Sequence, residues 1–174
     1  MVRDYIEFQD RNAPLAYLSI RLYGTWLHGD ERGSMNRRTN NLFGTLKIHF
    51  NPNLAKHEIS LLKHPPIKLN AQQRIVVENA IRKVCETRLY KLFALQVRTN
   101  HVHVVVSAVG KPEFIMNSFK AYSTRHLRKN GLLADKSKLW SRHGSTRYLW
   151  TESHIEMAVD YVINEQGDDL PNFD

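Results

Sequence analysis

The sequence predicts an α+β fold: a ferredoxin-like sandwich in which the split β-α-β-β-α-β order is followed by an extra C-terminal helix. Three observations carry this. A hairpin pattern sits mid-chain, Lys91 to Arg98 and His101 to Ser107, joined by the short connection Thr99-Asn100. A segment with apolar residues at helical spacing flanks it on each side. A further strand pattern precedes the first of these helices and another follows the second. The 174 residues suit one domain, 1–174, with a core of its own.

Taken in order, Leu15 to Tyr23 alternates as a strand does, and Gly24 ends it. Residues 25–70 hold Gly29, Gly33, Gly44, Pro52, Pro65 and Pro66 and read as a loop-rich insertion, with a short strand at Thr45 to Phe50. Asn70 caps the next helix with Gln73 at the box position, and Val77, Ile81 and Val84 form its apolar stripe as far as about Arg88. In the first hairpin strand Phe93, Leu95 and Val97 are expected on one face. The second helix runs from about Glu113 to Lys129 and stops at Asn130-Gly131. An edge strand is expected around Tyr148 to Trp150. The last helix opens on a capping box, Ser153-x-x-Glu156, buries Ile155, Ala158, Val159 and Val162, and ends at Gly167.

Composition narrows the function. No apolar run approaches the roughly 18 residues of a membrane span, and the charged segment Met1 to Asp10 does not read as a secretory signal. The single cysteine, Cys85, excludes an internal disulfide and a cysteine zinc cage, so the cytoplasm is the expected compartment. The net charge of +8 is uneven: between Lys111 and Arg147 nine basic residues face two acidic ones, with aromatics interleaved. That pattern points to a nucleic-acid partner.

The chemistry is concentrated in His101-Val102-His103. On a strand the two imidazoles share a face about 7 Å apart, which makes two points of a metal site. Metals bound through histidine need further ligands. With about 100° per residue, Tyr161 and Glu165 fall side by side at the edge of the last helix's buried stripe, one turn apart. Gln166 falls within the stripe and competes with Glu165 as third ligand. Tyr122, nearer to the histidines in sequence, lies at helical spacing with Ile115 and Phe119 and reads as core. A metal-polarised phosphate and a tyrosine nucleophile together suggest phosphodiester chemistry with a covalent phosphotyrosine.

These residues resemble a known group. His101-Val102-His103 resembles the two-histidine motif of HUH single-strand endonucleases, and one tyrosine on a late helix is similar to the Y1 transposases of the IS200/IS605 type. Tyr161-Val162-Ile163-Asn164-Glu165-Gln166 resembles their catalytic helix. Trp140-Ser141-Arg142-His143 and Arg147-Tyr148-Leu149-Trp150 resemble the segment before that helix in REP-associated tyrosine transposases. The resemblance implies cleavage and rejoining of single-stranded DNA at hairpin-flanked sites, a 5′-phosphotyrosine intermediate, and Mg²⁺ or Mn²⁺. By carry-over His101 and His103 ligate the metal with Glu165 or Gln166, and Tyr161 is the nucleophile. Such enzymes occur as homodimers and as monomers, and both states stay open here. Arg98, Lys120, Arg125, Arg128, Arg142 and Arg147 are candidate phosphate contacts, and Trp140, Tyr148 and Trp150 candidate stacking platforms. The rival reading is a non-catalytic nucleic-acid-binding module, although histidines stand where an RNA-binding sheet presents aromatics.

Overall fold

The computed structural model describes residues 15–30 and 48–164. Four strands form one antiparallel sheet: β1 (Leu15–Leu22), β2 (Lys91–Val97), β3 (His101–Ser107) and β4 (Trp140–Tyr148), in the order β2-β3-β1-β4. The helices are α1 (Pro52–Ser60), α2 (Ala71–Arg88), α3 (Pro112–Lys129) and α4 (Glu152–Asn164). This is the ferredoxin-like sandwich with the additional C-terminal helix, and both central strands, β1 and β3, are paired on either side.

Two cores follow from the pleat. Ala16, Leu18, Ile20 and Leu22 of β1 and Val102, Val104 and Val106 of β3 are all fully buried. They join Val77, Ile81 and Val84 of α2 and Ile115, Phe119 and Leu127 of α3 in the main core. On the other face α4 packs on β2 and β3, joining Ile155 and Val162 to Ala94, Val105 and Leu149. Strand alternation thus gives β3 one wholly apolar face and one that carries the histidines.

The local signals for α2 are read correctly. Asn70 and Gln73 exchange side-chain to backbone hydrogen bonds at 2.8 and 2.9 Å, a full capping box. The helix stops where Leu89 turns left-handed at φ 56°, with the Tyr90 N–H donating to the Cys85 carbonyl at 2.8 Å.

Several expectations need correction. Phe93 does not share a face with Leu95 and Val97: a register shift between Leu92 and Ala94 acts as a bulge, sending Phe93 to the α4 side while Leu95 and Val97 join the main core. The segment before Asn70 contains a helix, α1, capped by the Asn51 side chain at 3.0 and 3.1 Å from the Leu54 and Asn53 amides. Of the strand expected at Thr45 to Phe50, Thr45 to Lys47 lie outside the described residues, and Ile48 forms a bridge. β4 begins at Trp140, well before the apolar stretch at Tyr148, because an edge strand with an open side needs no apolar alternation. The cap of α4 is Thr151, whose hydroxyl accepts from the His154 amide at 3.2 Å, two residues before the anticipated Ser153. The Gly167 stop lies outside the described residues.

Candidate active site

The α4-facing side of the two central strands builds the site. In register, Ser19 of β1 lies opposite His103 and Arg21 opposite His101. Period-2 alternation puts Tyr17, Ser19 and Arg21 on the histidine side because Ala16, Leu18 and Ile20 face the core. The His101 and His103 rings stand with centroids 4.5 Å apart.

Each imidazole is held through Nδ1. The Nδ1 of His101 is 2.6 Å from the Asn100 side-chain oxygen. That oxygen only accepts, so Nδ1 carries a proton. The Nδ1 of His103 is 2.7 Å from the Tyr17 hydroxyl, while its Nε2 has only a long contact, 3.4 Å, with the Ser19 hydroxyl. Holding one ring nitrogen so that the other is presented is how metal-binding histidines are oriented. His103 is nearly buried, at 7% exposure. Burial, and then the charges of His101, Arg21 and Arg98, push its pKa down to about 3. A neutral imidazole at working pH is the form that ligates.

Tyr161 comes to this pair from α4. Its ring stacks on His103 with centroids 5.7 Å apart and 23° between planes. Tyr17 meets it edge-on at 6.3 Å. Tyr161 is 40% exposed, so its ring has a rigid backing and open solvent beside it. Tyr17 is the opposite case: burial, with the neighbouring Tyr161, raises its phenol far above the ordinary value. Of the two tyrosines, Tyr161 is the more exposed.

The donor set fits a divalent cation in part. Two imidazoles on one face, each held through Nδ1, supply two ligands. Imidazole nitrogens alone suit Zn²⁺, Fe²⁺ and similar ions, and an oxygen ligand beside them suits Mn²⁺ or Mg²⁺. Among the described residues no group of three or more His, Cys, Asp or Glu converges, and Glu165 and Gln166 lie outside them.

The residues expected to touch DNA separate into groups. Arg147, Tyr148 and Trp150 are exposed around the end of β4, and Tyr148 and Trp150 pair with ring centroids 5.5 Å apart. Arg142 is also exposed on β4. Arg98 is 7% exposed and acts electrostatically on His103. Arg125 is exposed on α3 beside the Tyr122 ring, and Arg128 donates to the Ser137 carbonyl at 3.3 Å. Lys120 and Trp140 are interior. The Lys120 ammonium donates to the Ser141 and His143 carbonyls at 2.9 and 3.2 Å, and burial lowers its pKa. The Trp140 indole donates to the Lys120 carbonyl at 3.0 Å. They tie β4 to α3, and each keeps 8% exposure, at the wall of a cavity shared with Arg125 and Arg128. Tyr122 packs against the main core, as its spacing suggests.

Tyr17, Ser19, Arg21 and Asn100 are functional neighbours that the sequence reading passed over. The alternation of β1 marks three of them as sharing one face. Their position opposite the histidines depends on strand order.

Among the described residues no helix is long and apolar enough to cross a membrane. A search of curated proteins finds no match. A solved structure of a REP-associated tyrosine transposase bound to a REP hairpin is similar at 16% identity with a TM-score of 0.47, covering 86% of this chain. The chain spans 64% of that protein's length. The family model for IS200-like transposases matches residues 53–165, which take in both histidines and Tyr161. The chain belongs to the IS200-like transposase family.

Proposed function

We propose that this transposase is a metal-dependent HUH-type DNA strand transferase that cleaves and rejoins single-stranded DNA beside hairpins through a 5′-phosphotyrosine intermediate. The observation that carries the reading is Tyr161 stacked on His103, beside His101, with its ring 40% exposed. Bound by His101 and His103, with Glu165 or Gln166 as third ligand, Mn²⁺ or Mg²⁺ supplies Lewis-acid polarisation of a phosphate oxygen. Asn100 and Tyr17 fix the two imidazoles. The Tyr161 oxygen forms a bond to phosphorus, its proton passes to water, and the bond from phosphorus to O3′ breaks. The departing O3′ takes up a proton. One phosphodiester replaces another, so a 3′-hydroxyl can attack the phosphotyrosine and rejoin strands. Arg147, which lines one cavity with Tyr161, lies where the strand would approach that tyrosine.

The test is a synthetic DNA carrying a hairpin beside a randomised single-stranded segment, incubated with the protein and Mn²⁺. A denaturant-stable adduct is expected from the wild type and from Tyr122→Phe, and none from Tyr161→Phe. Cleavage without an adduct would mean that water is the nucleophile. Binding without cleavage would mean a non-catalytic module. An adduct that survives Tyr161→Phe would refute the nucleophile assignment.

A further inference from the structure

A cavity of about 480 Å³ lies against Tyr161. Its apolar lining comes from Leu149, Met157 and Ala158, with the Tyr17 and Tyr161 rings beside them. Arg147 and His154 supply the polar lining, and no carboxylate takes part. The α4 contribution is a single helix face, because His154, Met157, Ala158 and Tyr161 recur at i, i+3, i+4 and i+7. Neither His101 nor His103 lines the cavity. Tyr161 therefore borders both places, stacked on His103 and also forming part of the cavity wall.

Size, shape and charge together narrow the occupant. Several hundred Å³ is the scale of a small-ligand site, which accepts one unstacked nucleotide and excludes a duplex. Leu149, Ala158 and the soft thioether of Met157 suit the flat face of a base. The Arg147 guanidinium suits a base edge or the adjoining phosphate. The absence of carboxylates from the lining favours a polyanion.

We propose that this cavity seats the base of the nucleotide whose 5′-phosphate becomes joined to Tyr161. The proposal rests on the reading of Tyr161 as nucleophile and adds a nucleotide-binding subsite to it. Of the two nucleotides flanking the broken bond, only this one stays tethered to the helix while the strand with the free 3′-hydroxyl departs. A seat on the same helix face as the nucleophile holds the tethered nucleotide in place until rejoining.

The experiment uses the full chain, Mn²⁺ and the single strand recovered from the hairpin selection, with an abasic residue on one side or the other of the scissile phosphate. An abasic residue on the tyrosine-linked side is expected to slow adduct formation by roughly 5- to 150-fold, the range of one lost base-stacking contact. On the departing side it is expected to change the rate far less. Met157→Ala, at a largely exposed side chain, is expected to slow adduct formation on intact DNA and to add nothing on the abasic strand. Equal effects of the two abasic positions, or full additivity of Met157→Ala with the abasic change, would overturn the subsite and leave the nucleophile standing. An adduct that persists in Tyr161→Phe, or none from the wild type, would overturn both.

Discussion

The Tyr17 hydroxyl lies 2.7 Å from Nδ1 of His103, although 86 residues separate them. Adjacent strands in antiparallel register bring them together, Tyr17 opposite Val105 and Ser19 opposite His103. The contact orients one candidate ligand, and the same phenol ring backs Tyr161 edge-on. Tyr17→Phe keeps the ring and deletes the hydrogen bond. Mn²⁺ is expected to bind about 10- to 100-fold more weakly, the usual effect of losing a hydrogen bond behind a metal ligand. Titration calorimetry measures this directly, with circular dichroism and metal-free hairpin affinity unchanged. Wild-type Mn²⁺ affinity in Tyr17→Phe would remove the hydroxyl from the site.

At Gly144, β4 leaves no room for a side chain against its neighbours. It pairs with Ile20 of β1, just before the register shift between Ile20 and Leu22. A Cβ at this position would press on the Met116 sulfur and come within 2.7 Å of the Ser19 carbonyl oxygen. The thioether can move, but the carbonyl belongs to the central strand that faces His103. Gly144→Ala is expected to destabilise the fold by about 1–3 kcal/mol, as overpacking does. Urea unfolding with an unchanged m-value would show it. A variant of wild-type stability would mean that β4 relaxes away from β1 without cost.

What the sequence made legible follows from periodicity. The step of about 100° per residue sets Tyr161 at the edge of the stripe formed by Ile155 and Val162, and there it meets the histidine strand. The Asn70–Gln73 box is local chemistry and was readable for the same reason. Tyr17 was not readable as a partner of His103, because periodicity says which face a side chain takes and not which strand stands beside it. Lys120 looks like a surface residue by type, and Trp140 stands among basic residues that suggest a stacking platform. They are interior because the β4 carbonyls and the α3 backbone reach them across some twenty residues. The bulge after Leu92 reverses the face of Phe93, and no residue type there announces it.

Ser123 presents a different kind of cost. Its side chain on α3 is fully buried, and the hydroxyl has no hydrogen-bond partner among the described residues. A buried hydroxyl without a partner sacrifices its hydration and gains nothing in return. Ser123→Ala removes the oxygen, nearly preserves the volume and favours the helix. Stabilisation by about 1 kcal/mol is expected, visible as a higher denaturant midpoint with adduct formation unaltered. Destabilisation would show that the hydroxyl has a partner in solution.

Cys85 gives the fold a pH dependence in the alkaline range. The thiol is buried on α2, and burial pushes its pKa up to about 11 from 9.0, with Arg82 opposing and Glu86 adding to the shift. Between those values the unfolded chain releases the thiol proton while the folded chain keeps it. Its contribution is therefore complete below about pH 9 and is lost as pH rises through about 11. The loss amounts to at most about 3 kcal/mol across the window. Urea unfolding of the wild type and of Cys85→Ala at several pH values, under reducing conditions, isolates this part because the other groups titrate alike in both. The wild type is expected to lose stability more steeply from pH 9 upward. Parallel curves would show that the thiol ionises as easily in the folded protein as in the unfolded chain.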